Sequence, residues 1–187
     1  MNDDTVNVWI GRFQPFHLGH SSMLLSTLEQ LGSPIAVMVI DSRNWAPPRT
    51  AGNISQSQHI SDKNPLTLWE RMTMIRIFLD AEGVSRQISV QSIPRPDIYW
   101  DIAELSFPPH RRICNNGRDD FEREKANMWR GRGEEVVVLD HKRWLSNSST
   151  NLKQRLREGG DWRPFLHEST LDYFAAINGP ERFSEAI

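Results

Sequence analysis

The chain has 187 residues, 38% of them apolar and 25% charged, with a net charge of −2 and a pI of about 6.3. That length suits one domain with its own core and excludes global disorder, and the faintly acidic balance excludes the broad basic footprint that nucleic acid requires. A single cysteine, Cys114, excludes an internal disulfide and a cysteine-based zinc site and suits a reducing cytoplasm; no apolar run approaches the ~20 residues of a membrane span, and the polar MNDDTVN start does not read as a signal peptide.

Residues 6–10 are short, β-branched and end at Gly11, which predicts a strand. Met23, Leu24, Leu25, Leu28 and Leu31 make one helical face over 21–31, and Gly32 stops it. The unbroken apolar run 35–40 reads as a strand buried on both faces, so the chain opens with a βαβ unit. Residues 41–64 are polar and rich in Pro, Ser and Asn, the composition of a mobile functional loop or a disordered insert. Thr67-x-x-Glu70 is a capping box that opens a helix to Leu79. Next come a strand at 88–90, a break at Pro94 and Pro96, and a short helix at 98–105. A weak strand at 112–114, a charged helix at 119–129 and a buried strand at 136–139 follow. Ser148 or Ser149 caps a helix ending at Gly159-Gly160, and 168–177 form a last helix closed by Gly179. The alternation predicts an α/β fold: a Rossmann-like, doubly wound parallel sheet with helices on both faces, and a small C-terminal helical part over 148–187, all in one domain.

The decapeptide GRFQPFHLGH, residues 11–20, follows the first strand. Open α/β sheets bind ligands beyond the carboxyl ends of their strands, and amides at the start of the next helix favour anions. Gly19 has no side chain, so a phosphate can approach the main chain, and His17 and His20 can converge on it as donors. Phosphoryl and nucleotidyl transfer need alignment and donors aimed at charge on the phosphorus oxygens. One histidine alone would read as an ordinary core or surface residue, and a metal pair has no third ligand at a recognised spacing. Arg12 at the strand end is placed to contact the acceptor or the triphosphate, and Arg118 after a later strand to reach phosphate; an ordinary exposed arginine is the rival reading of each. Ser148, Ser149 and Thr150 at a helix start make a second anion cradle, with Lys153 one turn in; the same residues also read as a plain cap and a solvated lysine.

GRFQPFHLGH resembles the signature of the HIGH-type nucleotidylyltransferases. Within that superfamily the chain is similar, over nearly its whole length, to nicotinamide-nucleotide adenylyltransferases of the archaeal and bacterial bifunctional kinds. Asn64-Pro65-Leu66-Thr67-x-x-Glu70-Arg71 is similar to the family's NPFT-x-x-ER segment, and 116–120 to its segment after a late strand. Residues 148–153 are similar to its Ser-x-Thr-x-x-Arg helix start, and 160–163 with 177–182 to the archaeal C-terminal pattern. The resemblance implies the nucleotidylyltransferase fold and transfer of the adenylyl group of ATP to nicotinamide mononucleotide, with release of pyrophosphate. It implies Mg²⁺ carried in on the nucleotide phosphates, with no protein ligands of its own. By resemblance His17, His20 and Lys153 are catalytic; Gly11, Arg12, Phe13, Gln14, Gly19, Arg118, Ser148, Ser149 and Thr150 bind the nucleotide; Asp41, Ser42, Asp97 and Trp100 bind the acceptor.

Trp100 resembles the tryptophan that the family stacks on the nicotinamide ring, a contact of roughly 0.5–2 kcal/mol for a cationic ring; with seven tryptophans in the chain, core packing is the rival reading. Asp97 either orients the substrate amide or starts a turn after Pro96. Three departures stand out. Lys153 replaces an arginine, a point charge in place of a bidentate grip. That leaves a cytidylyltransferase, using CTP on another phosphate or phosphonate, as the alternative, and a nucleotide-binding protein without turnover as a third reading. Asp41 stands where the family has glycine, and would crowd phosphate unless it turns away or binds Mg²⁺. Residues 43–63 are longer than the family's, and with Arg43 and Arg49 they form either a lid over the triphosphate or a solvated insert. No membrane or nucleic-acid partner is expected, and a homo-oligomer is left open.

Overall fold

The computed structural model describes residues 4–32, 34–41, 64–117, 119–139 and 148–185. Two apolar six-residue runs set its middle. β1 (Val6–Gly11) and β2 (Ile35–Ile40) are buried along most of their length, as strands covered on both faces must be. With β3 (Ile88–Ile93), β4 (Arg111–Asn116) and β5 (Val136–Leu139) they form an all-parallel sheet in the order β3-β2-β1-β4-β5. The connecting helices are α1 (Leu18–Leu31), α2 (Leu68–Ala81), α3 (Trp100–Ala103) with a 3₁₀ turn over Glu104–Ser106, and α4 (Asp120–Gly131). Three more, α5 (Ser149–Arg157), α6 (Glu168–Ala176) and α7 (Gly179–Glu185), follow β5.

Alternation along the strands sorts the core into two layers. Trp9, Val37, Val39 and Cys114 face residues of α1, α2, α5, α6 and α7. Val8, Ile10, Ala36, Met38 and Ile113 face Ala103 of α3 and Trp129 of α4. The doubly wound sheet with helices on both faces is therefore as the alternation predicts. Burial pushes the Cys114 thiol up to about 12, so it is a core group, not a nucleophile, at neutral pH. Among the described residues no helix is long and apolar enough to cross a membrane.

The strand order reverses direction at β1 and β4. Their register ends at Trp9↔Cys114 although both strands run on, to Gly11 and Asn116. This is the topological switch point, where the carboxyl ends of neighbouring strands leave a crevice.

Several boundaries differ from the sequence reading, each for a physical reason. α1 starts at Leu18, three residues early, because His17 itself caps it. β4 is no weak strand: it lies beside the central strand and spans six residues. β5 is an edge strand with Val138 46% exposed, not a strand buried on both faces. Gly179 does not close α6 but opens α7; the reversal is made at Asn178, whose φ of 53° is left-handed. A Cβ on Gly179 would stand 2.4 Å from the buried Phe174 ring, so only glycine lets α7 pack there.

Candidate active site

The histidine pair is built by the start of α1. His17 is its N-cap, and its Nδ1 accepts from the Gly19 N–H at 3.1 Å. His20 stands one turn on, and its Nδ1 accepts from the His17 N–H at 3.3 Å. This is a capping box made from two imidazoles in place of the usual hydroxyl and carboxylate. An accepting Nδ1 carries no proton, so in each ring the proton belongs to Nε2. The rings lie with centroids 3.7 Å apart and planes 28° from parallel. Phe13 meets His20 edge-on at 4.9 Å, and Phe16 stacks on it at 5.8 Å. His20 is thus held by aromatic neighbours as well as by its hydrogen bond. The Gly19 amide serves the cap, so in this state it is not the donor offered to a phosphate.

Phe13 has a left-handed backbone, with φ of 52°. A bulky residue there is uncommon and costs of order 1–3 kcal/mol. Its ring folds back over Gly11, where an added Cβ would meet it at 3.0 Å. The two residues are coupled: Gly11 is small because Phe13 lies on it.

Gln14 is almost fully buried, at 4% exposure. Its Nε2 donates to the Leu66 carbonyl at 2.8 Å and its Oε1 accepts from the Leu66 N–H at 3.1 Å. Its own carbonyl accepts from the Ser149 hydroxyl at 2.8 Å. One residue therefore joins the first loop, the 64–67 segment and the start of α5. Ser148 caps α5 by accepting from the Asn151 N–H at 3.2 Å. The start of α5 is so brought beside the loop that precedes α1. Lys153, one turn along α5, has its Nζ 5.3 Å from the centroid of Phe183 in α7.

Arg12 donates to the Asn64 amide oxygen at 3.3 Å. Burial lowers its guanidinium to about 10, which leaves it charged at neutral pH. Arg71, fully buried, donates its Nη1 to the carbonyls of Arg12 at 2.6 Å and Ile40 at 2.8 Å, and its Nε to the Thr67 carbonyl. It pins the ends of β1 and β2 to α2. Arg182 of α7 clasps both oxygens of Glu70, at 2.8 and 3.0 Å, and donates to the Pro65 carbonyl. Burial alone would raise the Glu70 carboxyl; the hydrogen bonds from Arg182 and Thr67 outweigh it and hold it below the ordinary value.

Asp41 and Asp97 follow the carboxyl ends of the neighbouring strands β2 and β3. Asp41 continues the β2–β3 ladder, its N–H donating to the Ile93 carbonyl at 2.9 Å. Asp97 is gripped by the buried Arg95 at 2.5 and 3.2 Å. Trp100 is not brought to the histidines. Its ring packs against Phe107 and Trp129, with the guanidinium of Arg132 at 5.0 Å and that of Arg111, the first residue of β4, at 6.0 Å. These neighbours belong to the amino-terminal end of β4 and the far end of α4, so core packing accounts for its position. Ser42, Arg43, Arg49 and Arg118 lie outside the described residues.

Sequence reasoning missed Gln14 as a joint, Arg71 and Arg182 as clamps, and Lys125, whose Nζ lies 3.3 Å from the Ile10 carbonyl. Among the described residues no three His, Cys, Asp or Glu side chains gather as metal ligands. The donors beside the crevice are imidazole, hydroxyl, amide and ammonium, a set suited to phosphate oxygens.

No family model matches the chain. Among solved structures it resembles Plasmodium falciparum nicotinic acid mononucleotide adenylyltransferase complexed with NaAD, with a TM-score of 0.56 and 15% identity over 95% of this chain and 97% of that one; this likeness establishes the fold. Among known sequences it is 25% identical over 152 residues to the phosphonoformate cytidylyltransferase of Streptomyces viridochromogenes, covering 81% of this chain and 80% of that one. It is 30% identical over 179 residues to the nicotinamide-nucleotide adenylyltransferases of Pyrococcus furiosus and Thermococcus onnurineus. Those matches cover 94% of this chain and 85% and 84% of the two relatives. Identity at that level along almost the full length of both partners is kinship, and the chain belongs to the nicotinamide-nucleotide adenylyltransferase family.

Proposed function

We propose that the protein transfers the adenylyl group of ATP to nicotinamide mononucleotide, forming NAD and pyrophosphate. The observation that carries this reading is the stacked His17–His20 pair at the head of α1, with each Nδ1 engaged by the main chain. The acceptor phosphate is already an anionic nucleophile, so no covalent enzyme intermediate is needed. One of its oxygens attacks the α-phosphorus in line as the bond to the bridging oxygen breaks, and pyrophosphate leaves with that electron pair. His17 and His20 donate Nε2–H to the α-phosphate oxygens as charge builds there. The Ser148 and Thr150 hydroxyls, the first amides of α5 and Lys153 hold the β- and γ-phosphates, while the Ser149 hydroxyl stays on the Gln14 carbonyl. Arg12, and beyond the described residues Arg118, add charge at the ends of β1 and β4.

Mg²⁺ fits this donor set as a passenger on ATP, coordinated by phosphate and water, and there it supplies Lewis-acid neutralisation of the leaving group. Ser148, Thr150 and Lys153 are the residues that would meet the phosphates carrying it.

A cytidylyl reading has one observation in its favour, the similarity to phosphonoformate cytidylyltransferase. Pyrophosphate release separates the two, measured with ATP or CTP against nicotinamide mononucleotide and simple phosphonates. Equal yields of pyrophosphate and NAD from ATP and nicotinamide mononucleotide are expected. Release with CTP and a phosphonate only would replace the adenylyl assignment.

A further inference from the structure

The seam between β1 and β4 holds a cation that the reading above leaves unused. The Val6 N–H donates to the His110 carbonyl and the Asn7 N–H to the Pro34 carbonyl. Even-numbered residues of β1 therefore turn their main chain toward β4, and odd-numbered ones toward β2. The β1–β4 register stops at Trp9↔Cys114, so the ladder offers the Ile10 carbonyl nothing further. Lys125 reaches in from α4 and donates to that carbonyl at 3.3 Å. Its other contact is the Glu122 carboxylate at 3.4 Å. Both are longer than the roughly 2.7–2.9 Å of a tight charge-assisted bond. An ammonium with three donors thus makes two loose contacts, and 20% of its side chain is exposed.

We propose that Lys125 binds the phosphate of the acceptor nucleotide; this rests on the adenylyl-transfer reading. The leaving pyrophosphate belongs to the start of α5, which packs through Leu152 and Leu156 on the same layer as α1. In-line displacement sets the attacking oxygen opposite the leaving one. The acceptor phosphate accordingly approaches from the α4 side of the seam, where Lys125 supplies the cation. As the acceptor's phosphate enters, the ammonium exchanges its loose hold on Glu122 for a phosphate oxygen. It also offsets the repulsion between the acceptor phosphate and the α-phosphate it attacks.

Lys125→Met removes the charge and keeps the stem, while Lys125→Arg keeps the charge. Steady-state constants for nicotinamide mononucleotide and ATP are compared with inhibition by nicotinamide riboside, which lacks the phosphate. For Lys125→Met the KM for nicotinamide mononucleotide should rise about tenfold or more, as loss of a charged hydrogen bond implies. The KM for ATP and the riboside inhibition should stay near wild type, and Lys125→Arg should restore most of the loss. An unchanged KM for nicotinamide mononucleotide overturns the proposal. So does an equal loss for mononucleotide and riboside, which would reduce Lys125 to a prop for Ile10. Should Lys125→Met not fold, Lys125→Gln is read by the same mononucleotide-to-riboside ratio. Wild-type protein that makes no NAD would defeat the adenylyl-transfer reading itself, and is scored before any variant.

Discussion

His20 has two nitrogens with separable duties: Nδ1 accepts from the His17 N–H and closes the cap, and Nε2 is the donor that the proposed mechanism offers to phosphate. The two can be separated by substitution. His20→Ala is predicted to lower kcat roughly 10²–10³-fold, the usual loss for one transition-state donor. His20→Asn keeps a short acceptor beside the cap but lacks the distant N–H. It should be as slow as alanine while recovering about 1 kcal/mol of cap stability. Rates of NAD formation and thermal unfolding on both variants check this; normal turnover by a folded His20→Ala protein would remove His20 from the mechanism. That the two imidazoles come together was legible in the sequence, because two histidines and a glycine within four positions are a local pattern. The stacking of the rings and the sharing of the Gly19 amide were not, since both depend on α1 starting at Leu18.

α2 and α7 are joined by a charge pair whose partners stand 112 residues apart, Arg182 and Glu70. The Glu70 carboxyl lies below its ordinary value of 4.5, so the unfolded chain binds the proton more tightly than the folded one. Its contribution is full above 4.5 and is lost as the pH falls through the lowered folded value. Glu70→Gln should therefore reduce Tm at neutral pH, and the gap from wild type should close on acidification below 4.5; a gap constant with pH would contradict the assignment. Gly179→Ala is predicted to cost about 1–3 kcal/mol by forcing the Phe174 ring aside, read by urea unfolding. At this scale legibility follows sequence distance. The Thr67–Glu70 box spans four residues and could be read directly. The clasp of Arg182 and the pinning of two strand ends by Arg71 could not be read, because a buried arginine has no local signature. α7 was lost for a related reason: a glycine after a helix ordinarily ends it, and the role of Asn178 in the turn shows only through its backbone angle.

For the molecule as a whole, the crevice at the switch point makes binding and folding one equilibrium. ATP at about one hundred times its Kd should stabilise the protein by about 2.7 kcal/mol, with Tm rising as the logarithm of concentration. CTP giving the larger shift at equal concentration would favour the cytidylyl reading. The βαβ opening and the doubly wound character follow from periodicity alone. The placing of β4 beside β1, which creates the crevice, is a long-range choice that no local pattern carries. Trp100 shows the limit of composition: an aromatic after a proline-rich break suits a ligand or a core, and the contacts of its ring with Phe107 and Trp129 show only in the structure.

Gln14 meets Leu66 through main-chain atoms only, donating to one and accepting from the other. The dependence is therefore one-sided. In a library randomised at both positions, 66 should drift among apolar residues that fill its buried space, while 14 should return glutamine almost alone.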